Sequence, residues 1–263
     1  MIVQLNGGLG NQLFQYAFGR SLSTEYKAPL FFHKSDLDCG RRHFALAPFN
    51  VNVQFKTPVG VLRFEEIQFN YDPRVHTASP SAYYVGYWQT ERYFDFAAPL
   101  LRQELTLKAP VSTKTAEIAR QILSEPDSTF IHVRRADYLD PHTSAYHGNM
   151  GMDYYKAAML YIGMEHISAP PKFFIFSDDP EWCRRNFYGC VIVDHNVGKG
   201  KEVEDLYLMS LCKHAIFPNS SFGWWGAWLG DTKPDRICIG PKKWFAGAKL
   251  NTDDIIPERW IKL

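Results

Sequence analysis

Short apolar runs alternate along most of this chain with stretches whose apolar positions recur at helical spacing. Residues 2–5 read as a first strand. After a glycine-rich turn, Leu13, Phe14, Ala17, Phe18 and Leu22 mark one broad face of a helix, and residues 30–32 read as a second strand. Residues 33–81 are irregular and punctuated by Pro48, Pro58, Pro73 and Pro80. Residues 83–89 are aromatic and strand-like, and residues 91–101 read as helical around Pro99. The second half is more regular. Strands are predicted at 129–133, 173–176, 191–193 and 215–217, with a final strand at 237–239. Helices are predicted at 115–123, from Asp153, from Asp179-Pro180 with the aspartate as N-cap, at 204–212 and at 222–229. Alternating β and α elements with apolar strands predict parallel sheets covered on both faces. Lys108-Ala109-Pro110 is the best junction, dividing the chain into 1–110 and 111–263, with a C-terminal tail free to pack back on the first part.

In such sheets ligands bind off the carboxyl ends of the strands. Three predicted strands end in residues with chemistry: His132, Arg134, Arg135 and Asp137; Ser177, Asp178 and Asp179; and Asn219, Ser220, Ser221 and Phe222. A guanidinium fork matches phosphate oxygens bidentately, and hydroxyls and amides at a helix start complete a diphosphate cradle. Helix caps explain Asp179, Asn219 or Ser220 singly, but not three rims at once. The first strand leads into Gly7-Gly8-Leu9-Gly10-Asn11-Gln12. Leu13 occupies the third glycine position of the dinucleotide fingerprint, and no acidic residue ends a second strand, which disfavours a nucleotide-dependent oxidoreductase. A phosphate-binding G-x-x-x-x-G-K-[ST] loop is absent. Asp36-Leu37-Asp38 has the form of a metal-holding D-x-D but lies in a polar loop without a strong strand behind it.

Charge narrows the partners. Lys+Arg 29 against Asp+Glu 28 leaves a formal charge of +1, so no general nucleic-acid or membrane-surface binder is expected and any positive site is local. Aromatics at 15% suit carbohydrate platforms as well as a core. The five scattered cysteines read as reduced thiols, neither a disulfide framework nor a zinc site. Neither a signal peptide nor an apolar run of about 18 residues is visible, so no membrane span is expected. The expected location is cytoplasmic, with a peripheral position at the inner face of the membrane left open.

The glycine-rich turn through Tyr16, the H-x-R-R-x-D-Y set from His132, Phe176-Ser177-Asp178-Asp179, the segment Asn219-Ser220-Ser221-Phe222-Gly223-Trp224-Trp225-Gly226, and Pro241-Lys242-Lys243-Trp244-Phe245 occur in that order. Together they resemble the bacterial α-1,2-fucosyltransferases of glycosyltransferase family 11, over nearly the whole chain. The resemblance implies a GT-B-type α/β fold, two Rossmann-like domains with parallel sheets facing across a cleft. It implies an inverting, metal-independent transfer of L-fucose from GDP-L-fucose to the 2-hydroxyl of a terminal galactoside. The acceptor would be an oligosaccharide or a glycolipid-linked glycan approaching from the first domain, and no cofactor is expected. Carried over by residue, Arg134 meets the GDP β-phosphate and is the catalytic group. His132 supports the nucleotide sugar, and Ser220, Ser221 and Phe222 line the phosphate and nucleoside pocket. Asp178 contacts guanine, with Asp179 the helix cap, and Gly10 and Asn11 close on the donor. Tyr87, Trp88 and Gln89 are the candidate acceptor wall.

Breaking the fucose–phosphate bond builds negative charge on departing GDP, which a preorganised arginine stabilises where it develops. No residue declares itself as the base for the acceptor hydroxyl; Asp137, Glu91 and His147 are the conceivable ones. Two other readings stay open: a GT-B transferase using another nucleotide sugar, and a non-catalytic carbohydrate-binding protein, which would have no use for Arg134 beside a serine-lined helix start.

Overall fold

The computed structural model describes residues 1–34, 37, 42–135, 148, 150–165, 170–198, 200–247 and 250–263. The chain forms two compact units: Met1–Ala109 with Leu250–Pro257, and Pro110–Lys249 with Glu258–Leu263.

In the first unit, β1 (Ile2–Leu5), β2 (Phe31–Lys34), β3 (Arg63–Glu65) and β4 (Tyr83–Val85) form a parallel sheet in the order β2-β1-β4-β3. Helix α1 (Leu9–Tyr26) buries Leu13, Phe14, Ala17, Phe18 and Leu22, the face its apolar spacing marks. Phe18 is the hub of an aromatic cluster. Its ring stacks on Trp88 at 4.0 Å between centroids and meets Tyr84 and Tyr93 edge-on, each at 5.4 Å. The 83–89 run is strand only to Val85. The 91–101 stretch is two short 3-10 turns leading into α2 (Ala98–Glu104), with Pro99 in its first turn.

In the second unit, β5 (Thr129–Val133), β6 (Phe173–Ser177), β7 (Val191–Val193), β8 (His214–Ile216), β9 (Cys238–Gly240) and β10 (Ile261–Lys262) are all parallel, in the order β10-β9-β8-β5-β6-β7. The helices are α3 (Thr113–Ser124), α4 (Met152–Glu165), α5 (Pro180–Asn186), α6 (Glu202–Leu211) and α7 (Ser221–Leu229). All five residues of β5 are buried, as expected of a strand covered on both faces. Ser112 caps α3 by accepting from Thr115 N at 3.3 Å, and its hydroxyl donates to Glu204 of α6 at 2.6 Å. Trp224, Trp225 and Trp228 anchor α7, all essentially without exposure. The final strand is β10 rather than the one expected at 237–239. No helix among the described residues is long and apolar enough to cross a membrane.

Ile131 lies between β6 and β8 at the centre of the second sheet and is fully buried. Ile131→Ala is expected to cost about 2–5 kcal/mol, read as a lowered urea midpoint.

Candidate active site

In each sheet the chain passes from one side of its first strand to the other, and the candidate residues collect at those places. In the second unit the chain runs β5, β6, β7 outward and then returns to the other side of β5 with β8. The crevice at such a switch point, off the carboxyl ends of the strands, is where open α/β sheets bind ligands. Here it lies between the residues that follow β5 and those that follow β8.

Val133 on β5 is the register partner of Ser177 on β6. The next residues, Arg134 and Asp178, are therefore brought side by side. Arg134 Nη1 lies 2.9 Å from Asp178 Oδ2. The other carboxylate oxygen accepts the backbone N–H of Arg135 at 2.8 Å. With each of its oxygens already engaged by an arginine, Asp178 is arranged to orient Arg134, a role the sequence did not disclose. Arg135 has a different environment. Its Nε donates to Asp179 at 3.3 Å and its guanidinium sits 4.1 Å from the ring centroid of Trp182. Asp179 also caps α5, accepting from Trp182 N at 3.1 Å.

On the other side of the switch point, Ser220 precedes α7 in extended conformation, and its side chain makes no capping hydrogen bond. The first turn of α7 thus offers amide donors and the positive end of the helix dipole, with the Ser220 hydroxyl not spent on the helix. Asn219 is tied down, donating from Nδ2 to the Trp244 carbonyl at 3.0 Å. Two glycines let α7 come close to its neighbours. A Cβ on Gly223 would fall 2.7 Å from His132 Nδ1 and 2.8 Å from Phe217 Cβ, and one on Gly226 would fall 2.9 Å from Met209 Cβ. Phe222 tilts against His132, with 5.4 Å between ring centroids. His132 is only 5% exposed, and its Nδ1 has no hydrogen-bond partner among the described residues. Burial first, and then the charge of Arg134, lowers its pKa from 6.5 to about 3. At neutral pH the ring is uncharged, and its Nδ1 is packed against the Gly223 backbone at the start of α7.

Asp205, in the first turn of α6, is a buried carboxyl that nothing in the sequence singles out. Burial raises its carboxyl from 3.8 to about 7, and Asn196 donates to it at 2.7 Å. The acidic run from Glu202 to Asp205 looks like an ordinary preference for acids at a helix start, and only the fold reveals the burial.

The first unit has its switch point between β1 and β4. Gly7 takes φ +72°, and a Cβ there would sit 2.5 Å from Asn11 Nδ2, so the turn after β1 requires glycine. Gly10 and Asn11 lie in the first turn of α1. Asn11 Oδ1 accepts from Gln89 Nε2 at 2.9 Å, joining the two strand ends. Gln12 is fully buried and consumed internally, donating to the Gly7 and His43 carbonyls and accepting from Ala45 N. Of the three residues expected to face an acceptor, Tyr87 is 37% exposed, Gln89 is buried behind Asn11, and Trp88 is fully buried on Phe18. Trp88 is a core residue; the expectation that it lines an acceptor wall is corrected by that stacking. Asp36, Asp38, Asp137, His142 and His147 lie outside the described residues. Among the described residues no group of three or more His, Cys, Asp or Glu is gathered as a metal site.

The family profile described as Glycosyl transferase family 11 matches residues 1–263. An Escherichia coli protein named alpha-1,2-colitosyltransferase is 31% identical over 297 aligned positions, covering 100% of this chain and 98% of its own. The rabbit (Oryctolagus cuniculus) galactoside alpha-(1,2)-fucosyltransferase 2 is 25% identical, covering 86% of this chain and 66% of its own. The crystal structure of fucosyltransferase NodZ from Bradyrhizobium shares the fold with a TM-score of 0.53 at 14% identity, over 86% of this chain and 91% of that one.

The His132 environment has an acid signature. Its folded pKa is depressed, so its contribution to stability is complete above the unfolded value of 6.5 and is lost as pH falls towards about 3. His132→Asn is expected to flatten the pH dependence of the urea midpoint across that window, with the wild type falling more steeply as the solution is acidified.

Proposed function

The chain belongs to glycosyl transferase family 11, and from that premise we propose that it transfers L-fucose from GDP-L-fucose to the 2-hydroxyl of a terminal galactoside, with inversion at the anomeric carbon and without a metal. The observation that carries this reading is Arg134, held by Asp178 at the switch point of the second sheet opposite the first turn of α7. As the C1–O bond to the β-phosphate breaks, its electron pair and the developing negative charge go to GDP. A guanidinium already in place costs no reorganisation at that moment. Ser220, Ser221 and the α7 amides take the remaining phosphate oxygens, Phe222 meets the nucleoside, and neutral His132, packed under Phe222, supports the nucleotide-sugar site. Asp178 serves the reaction through Arg134 rather than by reading guanine. Gly10 and Asn11 contact the donor, and Tyr87 and Gln89 serve the acceptor side.

The acceptor side rests on the relatives. The rabbit protein is named for a galactoside acceptor and an α-(1,2) linkage, and the E. coli protein for the same linkage. The latter carries the second reading, a colitosyl donor in place of fucosyl.

The test is incubation with GDP-fucose and a panel of small galactosides, with linkage analysis of the product. An α-1,2-fucosylated galactoside formed in excess chelator is the expected result; a strict Mn²⁺ or Mg²⁺ requirement would overturn the metal-free mechanism. Arg134→Ala is expected to lower kcat by about 10²–10³-fold, the usual loss on removing one oxyanion donor, with an unchanged melting temperature. Asp178→Asn, which leaves the guanidinium present but untethered, is expected to lie between Arg134→Ala and wild type.

A further inference from the structure

The first unit holds a carboxylate whose surroundings are more elaborate than a structural contact needs. Glu66 directly follows β3, and its N–H donates to the Val85 carbonyl at 2.9 Å, extending the β3–β4 ladder by one residue. Its side chain turns onto the segment after β4. Oε2 accepts from Tyr87 N at 2.6 Å, and Trp88 N lies 3.0 and 3.1 Å from the two oxygens. The chain is bent to make this possible. A Cβ on Gly86 would lie 2.5 Å from Glu66 Cβ and 2.8 Å from Oε2, so only glycine lets the carboxylate in. Trp88 is held at φ +59°, in the left-handed region, which costs a bulky residue on the order of 1–3 kcal/mol and persists only where the surroundings enforce it. Here the enforcement is the stack of Trp88 on Phe18.

Position adds to this. Glu66 sits at the carboxyl end of the edge strand β3, and its side chain reaches the segment after β4, which borders the first unit's switch point. Gln15 ties that edge together, donating to the Gly86 carbonyl at 3.0 Å and to Asn6 Oδ1 at 2.8 Å. Tyr87, whose N–H holds the carboxylate, is exposed and stacks on Phe69 at 5.8 Å between centroids and 14° between planes. An exposed ring, backed by a partly buried one and beside a fixed carboxylate, is a platform for the apolar face of a sugar with an acceptor for one of its hydroxyls. Glu66 itself is mostly buried but not sealed from solvent.

We propose that Glu66 is the general base of the transfer, accepting the proton of the acceptor hydroxyl while the acceptor sugar rests on Tyr87; this rests on the transferase reading above. The acceptor O–H bond breaks and its proton passes to a Glu66 oxygen. The acceptor oxygen bonds to C1 of fucose, the C1–O bond to the β-phosphate breaks, and its electron pair leaves with GDP. Protonated Glu66 returns its proton to water. The electrostatics agree: burial, opposed by the two amides and reinforced by the charge of Asp72, raises the carboxyl from 4.5 to about 7. A base works best with a pKa near the operating pH. Asp72 is itself paired with Arg74, and neighbouring Tyr93, raised by burial and further by the charge of Glu66, stays a neutral phenol.

The experiment is kinetics of wild type and Glu66→Gln with GDP-fucose and a galactoside across pH 5–9, alongside melting temperature and GDP-fucose affinity. Glutamine keeps an oxygen for the two amides but takes no proton. The expected result is a kcat lowered by about 100-fold or more, unchanged GDP-fucose affinity and melting temperature, and loss of the acidic limb that wild type shows near pH 7. A folded Glu66→Gln with kcat within a few-fold of wild type and the same limb would overturn the proposal and leave Glu66 a latch. Should Glu66→Gln fail to fold, the wild-type kcat profile decides alone, since a flat profile from pH 6 to 8 also overturns it. Wild type that transfers no sugar to any galactoside would sink the transferase reading itself, and this inference with it.

Discussion

The hydrogen-bonded ladder on either side of β5 is the constraint on which the second unit depends. Five residues, Thr129 to Val133, are paired with β6 along their whole length and with β8 along the first three. A one-residue slip against β6 would turn every side chain of the strand to the other face. It would also part Arg134 from Asp178, because their meeting follows only from the pairing of Val133 with Ser177. The same ladder sets how near α7 comes. The Gly223 backbone lies against the ring of His132, one residue before the strand end, and that approach has no room for a methyl group. Arginine, aspartate, histidine and helix start are thus positioned by backbone pairing before any ligand is considered.

Much of this was legible because the second unit follows simple physics. Residues 129–133 and 191–193 are apolar and rich in β-branched and aromatic side chains, and both are strands over those bounds. Asp179-Pro180 reads as a helix start, and Asp179 does cap α5. What stayed hidden depended on neighbours. β3 is three residues with charged side chains at both ends, and β10 is two residues, so neither carries a period. Trp88 stands in an aromatic run that looks like a wall, but the chain turns through a left-handed residue there and drives the ring into the core. Glu66 follows another glutamate and looks like a solvated pair; what singles it out is a glycine and a strained tryptophan, 20 and 22 residues later.

The two rims do different electrostatic work. In the second unit, Arg134, the start of α7 and a neutral imidazole flank the place proposed for departing GDP, and among the described residues Asp178 and Asp179 hold arginines. In the first unit, one carboxylate sits among backbone amides and aromatic rings. The division suits a reaction in which negative charge accumulates on one partner and a proton must leave the other.

The path of the C-terminal segment has a consequence for synthesis. Residues Leu250–Pro257 belong to the first unit: Asn251 N donates to Gln68, Tyr71 N donates to Asp254, and Arg92 pairs with Asp254. The chain then returns to the second unit as β10. On the ribosome, where N-terminal domains ordinarily fold first, the first unit therefore lacks part of itself until the second has been made almost entirely. The segment around Tyr71 and Arg92 must wait, partly uncovered, for residues about 160 or more positions downstream, a non-local closure of the kind that slows folding. The unit that opens before the other is thus closed only after most of the other has been made.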